Sequence, residues 1–263
     1  MLQQTPVARV LPAWERWMER WPVPAALAAE PPGEAIRMWE RLGYPRRALR
    51  LHAAAAVIVE RHAGEVPSQH AELLALPGIG AYTAAAVASF AFGARHAVVD
   101  TNVRRVQART VTGVRYPPPS LTAAETALAQ RLVPEDPARA ARWAVAAMEL
   151  GALICTARSP RCGQCPVAHL CRWRLHGSPR DDGPARPAQA YEGTDRRVRG
   201  LLLAALRSAD TPLEHAELAA AAPDEVLRDP LQRARALDGL VADGLVEPLD
   251  GGFFRLPARV GTA

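Results

Sequence analysis

Apolar residues along the first 150 positions recur with the period of an α-helix, and almost nothing there alternates as a strand would. Val7, Val10, Leu11, Trp14, Met18 and Trp21 mark one helical face, with Pro12 placed to bend or restart it. A second helix is predicted over 45–62, opened by Pro45 and stopped by Gly64. Ser68 stands where it can cap a third helix ending at Leu76, and a fourth runs over 81–92 and closes at Gly93. Asp100 occupies the position of a cap for the helix carrying Val103, Val106 and Ala108, which Gly113 ends. Thr122-Ala-Ala-Glu125 has the form of a capping box, and Pro137 starts a helix that reaches about Gly151. The region 1–153 is therefore read as all-α.

Beyond it lie a cysteine-bearing loop, 154–175, and a linker, 176–193, dense in Pro, Gly and Asp. The last segment, 194–263, predicts helices over 194–208, 213–221 and 230–243, the third with Asp229 as cap, and then a hairpin turning at Asp250-Gly251. Three helices followed by a hairpin suggest a winged-helix-like module. The uncharged stretch 73–94 is long enough to span a membrane, but Pro77 and Gly78 break it near its start. It reads as a buried helix–turn–helix. Polar LQQTP follows Met1 without a secretory pattern, so a cytoplasmic protein with no membrane association is expected.

Composition narrows the chemistry. With 49% hydrophobic and 22% charged residues among 263, the chain is globular rather than fibrous or disordered. All 32 basic residues are arginine, which excludes any mechanism that needs a lysine Schiff base or a P-loop lysine. The net charge of +5 is unevenly spread: 1–193 carries +7 and 194–263 carries −2. A basic larger part suits a polyanionic partner, because guanidinium matches phosphate, whereas the acidic module does not.

The four cysteines, Cys155, Cys162, Cys165 and Cys171, fall within 17 residues, ringed by Arg158, Arg161, Arg172 and Arg174. Too few for a secreted disulfide scaffold, they form a thiolate set for a [4Fe–4S] cluster or for structural zinc. Two close pairs would favour zinc, and only one Cys-x2-Cys pair is present, so iron–sulfur is preferred; buried, unliganded thiols are the third alternative. Leu76-Pro77-Gly78-Ile79-Gly80 separates two predicted helices. Its glycines permit a tight turn that exposes N–H groups at the next helix start, suited to a phosphate oxygen, though a plain helix hairpin needs the same turn. Val98-Val99-Asp100-Thr101-Asn102-Val103 sets a carboxylate at a helix entrance, where it can be an N-cap, a reacting group, or both.

MLQQTPV, RLGY, LPGIGAYT, VVDTNVRRV and the C-x6-C-x2-C-x5-C loop, in this order and spacing, resemble the adenine DNA glycosylases over about residues 1–175. These are helix-hairpin-helix, iron–sulfur base-excision enzymes that remove adenine mispaired with 8-oxoguanine or guanine. The resemblance implies a [4Fe–4S] cofactor on Cys155, Cys162, Cys165 and Cys171, and a double-stranded DNA partner read by a monomer, associated with the nucleoid when bound. Asp100 matches the aspartate that stabilises the sugar cation, with Asn102 and Tyr82 near it. Gly78 and Gly80 match the hairpin that binds the DNA backbone. Gln4, Thr5, Leu42 and Tyr44 match residues that probe or wedge the duplex beside a flipped-out base.

At the Tyr82 position the related endonuclease III type has a lysine that adds strand cleavage, so a monofunctional enzyme is expected here. The family's glutamate that protonates the leaving adenine lies two residues before the methionine of MLQQT, and in this chain that position precedes Met1. A chain read from Met1 thus looks like an N-terminally incomplete member, expected to bind DNA and cleave slowly, since general acid catalysis contributes about 10²–10⁴-fold. The segment 194–263 is too short for the NUDIX-like domain that reads 8-oxoguanine in many relatives. Rival expectations are a thymine glycosylase acting at T/G mismatches, against which MLQQT and RLGY weigh, and a non-catalytic iron–sulfur DNA-binding protein. A zinc-ribbon regulator is the remaining alternative.

Overall fold

Local signals place most of the helix boundaries, as a computed structural model describing residues 1–3, 5–179 and 191–258 makes visible. Helix α1 (Val7–Arg20) runs unbroken through Pro12, which removes one N–H from the ladder without ending it. Two short helices follow that periodicity did not reveal, α2 (Pro24–Ala28) and α3 (Pro32–Trp39), each with proline in its first turn, where no N–H partner is needed. Helix α4 (Arg46–Arg61) begins just after Pro45. Helix α5 (His70–Ala75) starts at Gln69 without a side-chain cap, so Ser68 does not serve as one. Helix α6 (Ala81–Phe90) follows the glycine turn, and α7 (Thr101–Gln107) opens on Asp100.

Thr122 and Glu125 close the expected capping box on α8 (Ala123–Leu132), and Asp136 caps α9 (Pro137–Glu149). Both α7 and α9 continue into a single π turn, Ala108–Thr112 and Leu150–Ile154, features with no sequence signature. The short α10 (Arg172–Leu175) ends the cysteine loop. After it come α11 (Asp195–Ser208), α12 (His215–Ala221) and α13 (Gln232–Ala242). Strands β1 (Leu213–Glu214), β2 (Glu247–Leu249) and β3 (Phe253–Arg255) form an antiparallel sheet in the order β1-β3-β2. The hairpin turns at Asp250-Gly251-Gly252, where both glycines have positive φ. Leu213 pairs with Phe254, so the segment expected to begin a helix there first adds an edge strand. Helices and wing thus match the winged-helix-like order. No helix among the described residues is long and apolar enough to cross a membrane.

The compact units divide the chain otherwise than at 153 and 194. One unit joins Met1–Val66 with Pro187–Ala263, and the other is Pro67–Arg186. The reason is a shared core. In the first unit Ile36 and Trp39 of α3 are buried with Val198 and Leu202 of α11, Leu240 of α13 and Leu245. Trp17 packs edge-on against Trp21 and Trp39, ring centroids 4.7 and 5.9 Å away. Gly33 donates its N–H to the Pro257 carbonyl at 2.8 Å, an approach that leaves no room for a side chain. Arg37 donates to the Ala209 carbonyl at 3.2 Å and to that of Arg207, while Arg207 donates back to Ile36 at 3.1 Å. Burial lowers the Arg207 pKa to about 10, which still leaves it charged at neutral pH. The described residues of the 194–263 segment therefore share one core with the N-terminal helices.

A methyl at Gly33 would stand 2.7 Å from the Pro257 oxygen and 2.9 Å from Leu256 Cβ. Gly33→Ala is expected to destabilise this unit by about 1–3 kcal/mol through overpacking. The urea midpoint of tryptophan fluorescence reads it, and an unchanged midpoint would mean the two segments do not share a core.

Candidate functional site

Asp100 is both cap and candidate reacting group. Its Oδ1 accepts from the Val103 N–H at 2.7 Å, fixing the start of α7, and its Oδ2 accepts from Asn102 Nδ2 at 2.8 Å. The half-buried carboxylate is thereby held in one orientation, with an acceptor site left on each oxygen. Asn102 is oriented in turn, because its Oδ1 accepts from Arg105 Nη2 at 2.8 Å. Arg105 also donates to the Gly151 carbonyl at 2.6 Å and to the Cys155 carbonyl at 2.7 Å. A chain of hydrogen bonds thus runs from Asp100 to the first residue of the cysteine loop. Burial lowers the Arg105 pKa, and the neighbouring Cys155 and Asp100 charges oppose that. Gly151 is required by proximity, since a Cβ there would lie 2.7 Å from Asn102 Cβ and 2.8 Å from its carbonyl oxygen.

Tyr82, in the first turn of α6, is 38% exposed. Burial and the charge of Asp100 push its phenol pKa up, so it stays protonated and available as a donor. The turn before it has Gly78 at φ +75° and an Ile79 N–H bonded to the Leu76 carbonyl at 3.1 Å. Gly80 is extended, no side chain caps α6, and a Cβ at Gly80 would meet nothing within 4 Å. The chain's own packing does not need that glycine. It leaves the backbone at this helix start open to a close-approaching ligand.

The remaining expected residues lie in the other compact unit, and Gln4 falls outside the described residues. Thr5 is 6% exposed; its hydroxyl donates to the Leu42 carbonyl at 3.1 Å and accepts from Arg47 Nη2 at 2.9 Å. Leu42 is 5% exposed and belongs to the core. Neither is presented as a wedge; both brace the turn. Tyr44 alone of this group is open, 55% exposed and at φ +49°, a conformation costly for tyrosine. Arg47, which motif reading passed over, holds the turn: it donates to the carbonyls of Met1, Gln3 and Gly43 and lies 5.5 Å over the Tyr44 ring.

Cys155, Cys162, Cys165 and Cys171 line one recess with Arg109 and Trp173. Four cysteine sulfurs on one recess are the all-thiolate donor set that a [4Fe–4S] cluster takes. Burial pushes the Cys165 thiol up, and the other three sulfurs push it further. Four thiolates can share the recess only around a cationic centre. The residues present therefore fit an iron–sulfur cluster. Arg158, Arg161 and Arg172 on this loop are exposed, and Arg174 braces it by donating to the Cys162 carbonyl at 3.0 Å.

Residues 1–129 match the family described as HhH-GPD superfamily base excision DNA repair protein, and residues 155–171 match the iron–sulfur binding domain of endonuclease III. The chain is 53% identical over 257 residues to an adenine DNA glycosylase of Mycolicibacterium smegmatis, covering 97% of this chain and 84% of that protein. It is 50% identical over 259 residues to one of Mycobacterium tuberculosis, covering 98% and 83%. The adenine DNA glycosylase of Homo sapiens is 46% identical over 178 residues, 66% of this chain and 32% of its own length. Among solved structures, a thermostable thymine-DNA glycosylase superposes with a TM-score of 0.58 at 30% identity, over 66% of this chain and 80% of its own. A non-covalent endonuclease III–DNA complex does so with 0.57 at 28% identity, over 66% and 80%.

Purified protein is expected to contain iron and acid-labile sulfide in equal amounts, with no stoichiometric zinc. Cys162→Ser should lower both together. Zinc in their place, measured by elemental analysis, would reverse the assignment.

Proposed function

This chain belongs to the adenine DNA glycosylases, and on that premise we propose that it removes adenine mispaired with 8-oxoguanine or guanine in double-stranded DNA, as a monomer that leaves an abasic site and an uncut strand. The observation that carries the reading is the Asp100 carboxylate, held by one donor on each oxygen. As the N-glycosidic bond breaks, the sugar develops positive charge, and a preoriented anion stabilises it without reorganising. Asp100 takes that role, Asn102 fixes its angle, the C–N bond pair leaves with adenine, and water adds to the sugar carbon, its proton ending on the released base. Tyr82 stays a neutral phenol beside them.

An amine nucleophile is what strand cleavage through a Schiff base requires. The position is tyrosine, and the chain has no lysine, which supports hydrolysis alone. The target adenine must leave the base stack, and Tyr44, an exposed aromatic, is of the kind that stacks on bases of a duplex. The uncapped start of α6 at Gly80 suits a DNA phosphate, with the exposed arginines of the cysteine loop adding charge. When bound, the [4Fe–4S] cluster folds 155–171 into the loop that carries those arginines, and no step of the hydrolysis passes through it.

Base release from duplexes with adenine opposite 8-oxoguanine or guanine, compared with thymine opposite guanine, tests the substrate. Adenine release without strand scission is expected, and Asp100→Asn should reduce it by at least about 10²-fold. Preferential thymine release, or no release from any duplex, would overturn the reading. The backbone approach has its own test. Gly80→Val adds a side chain where the chain has open space, so thermal stability should hold while DNA affinity falls roughly 10-fold, the worth of one charge-assisted hydrogen bond. Unchanged affinity, measured by fluorescence anisotropy, would remove Gly80 from the interface.

A further inference from the structure

Arg109 has no solvent exposure at all. Its Nε donates to the Arg115 carbonyl at 2.9 Å, Nη1 to that of Thr156 at 2.8 Å, and Nη2 to that of Ala157 at 2.9 Å. Nη1 also lies 3.4 Å from Cys155 Sγ, while the Arg109 carbonyl oxygen is 3.5 Å from Cys171 Sγ. One residue therefore touches both the first and the last cysteine. Its guanidinium sits 5.1 Å from the Trp173 ring centroid and 5.7 Å from that of Tyr116, which close it off from water.

A guanidinium cannot shed its charge, and a buried ion without a counter-ion is strongly unfavourable. Among the described residues no carboxylate pairs with Arg109. A second buried cation, Arg105, is close enough to feel its repulsion. The carbonyls and rings that surround Arg109 supply dipoles but no net negative charge. The groups in the recess that can supply it are the four cysteine sulfurs, once they are thiolates on iron.

We propose that Arg109 is the buried counter-charge of the iron–sulfur site, a positioning residue that retains the cluster and sets its reduction potential. The proposal rests on the iron–sulfur assignment, which the iron and sulfide content of the wild-type protein checks separately. A positive charge and an N–H···S contact both favour the more negatively charged, reduced form of a thiolate-bound cluster. Their loss moves the potential down and makes the cluster easier to oxidise and lose. The two bonds to the Thr156 and Ala157 carbonyls hold the segment that follows Cys155, whose sulfur lines the recess.

Arg109→Met keeps the packing between Trp173 and Tyr116 and removes the charge, while Arg109→Lys keeps the charge and loses the fork. With iron-loaded proteins, the methionine variant is expected to release iron to a chelator roughly 10–100-fold faster than wild type. Its midpoint in a spectroelectrochemical titration should move to more negative values, and its helical circular dichroism should be retained. The lysine variant should hold its iron better than the methionine variant and keep its midpoint nearer wild type. Wild-type iron retention and midpoint in Arg109→Met would overturn the proposal. So would equal iron loss in both variants with an unmoved midpoint, the signature of a loop staple without electrostatic role. Should the methionine variant fail to fold, the lysine variant decides alone. Near wild-type retention then supports the counter-charge, and loss as fast as in Cys162→Ser overturns it.

Discussion

Irregular backbone inside a protein must find donors for its carbonyls, and in this chain many of the donors are guanidinium groups. Arg104 bonds the carbonyls of Pro118 and Ser120 while pairing through both nitrogens with Glu125. Arg95 bonds Val133 and Pro134, and Arg47 bonds the N-terminal segment and Gly43. Arg105 and Arg109 take the carbonyls of Gly151, Cys155, Thr156 and Ala157. A lysine ammonium, a compact point charge, would not span such pairs of acceptors as the planar fork does. The orientation of Asp100 depends on this masonry, since it passes through Asn102 to Arg105 and from there to the loop.

What could be read from the chain in advance was what is decided locally. Pro137, Asp100, Gly113 and the Thr122–Glu125 box act within one helical turn, and each stands where it was expected. Helices α2 and α3 escaped because five and eight residues are too short for periodicity to show. The π turns escaped because one extra residue in a helix leaves no compositional trace. Thr5 and Leu42 carry a family motif that reveals nothing of burial, so bracing residues were read together with the exposed Tyr44. Arg105 and Arg109 did leave a signal. They sit four apart among Val103, Val106 and Ala108, and an arginine repeating at core spacing in a helix is an anomaly worth pursuing.

The acidic C-terminal segment has three helices and a hairpin in winged-helix-like order, and several of its arginines pair with carboxylates. Arg233 and Arg235 of α13 are tied to Asp224 at 2.7 Å and Asp229 at 2.9 Å. Arg255 pairs with Glu247 at 3.0 Å. The segment buries Val198, Leu202, Leu240 and Leu245 in one core with residues of the N-terminal helices.

That shared core sets a schedule for the chain as it is made. The tryptophans of α1 and α3 share a core with leucines that follow about 160 residues or more later, after the whole of the second unit. At about 5–20 residues per second, the ribosome leaves Trp17, Trp21 and Trp39 without their partners for on the order of ten seconds. The middle unit can complete its helices in that interval, so the chain closes from the inside outward. The N-terminal helices of this unit wait longest for their C-terminal partners, and in that interval their tryptophans are the apolar surface most in need of a chaperone.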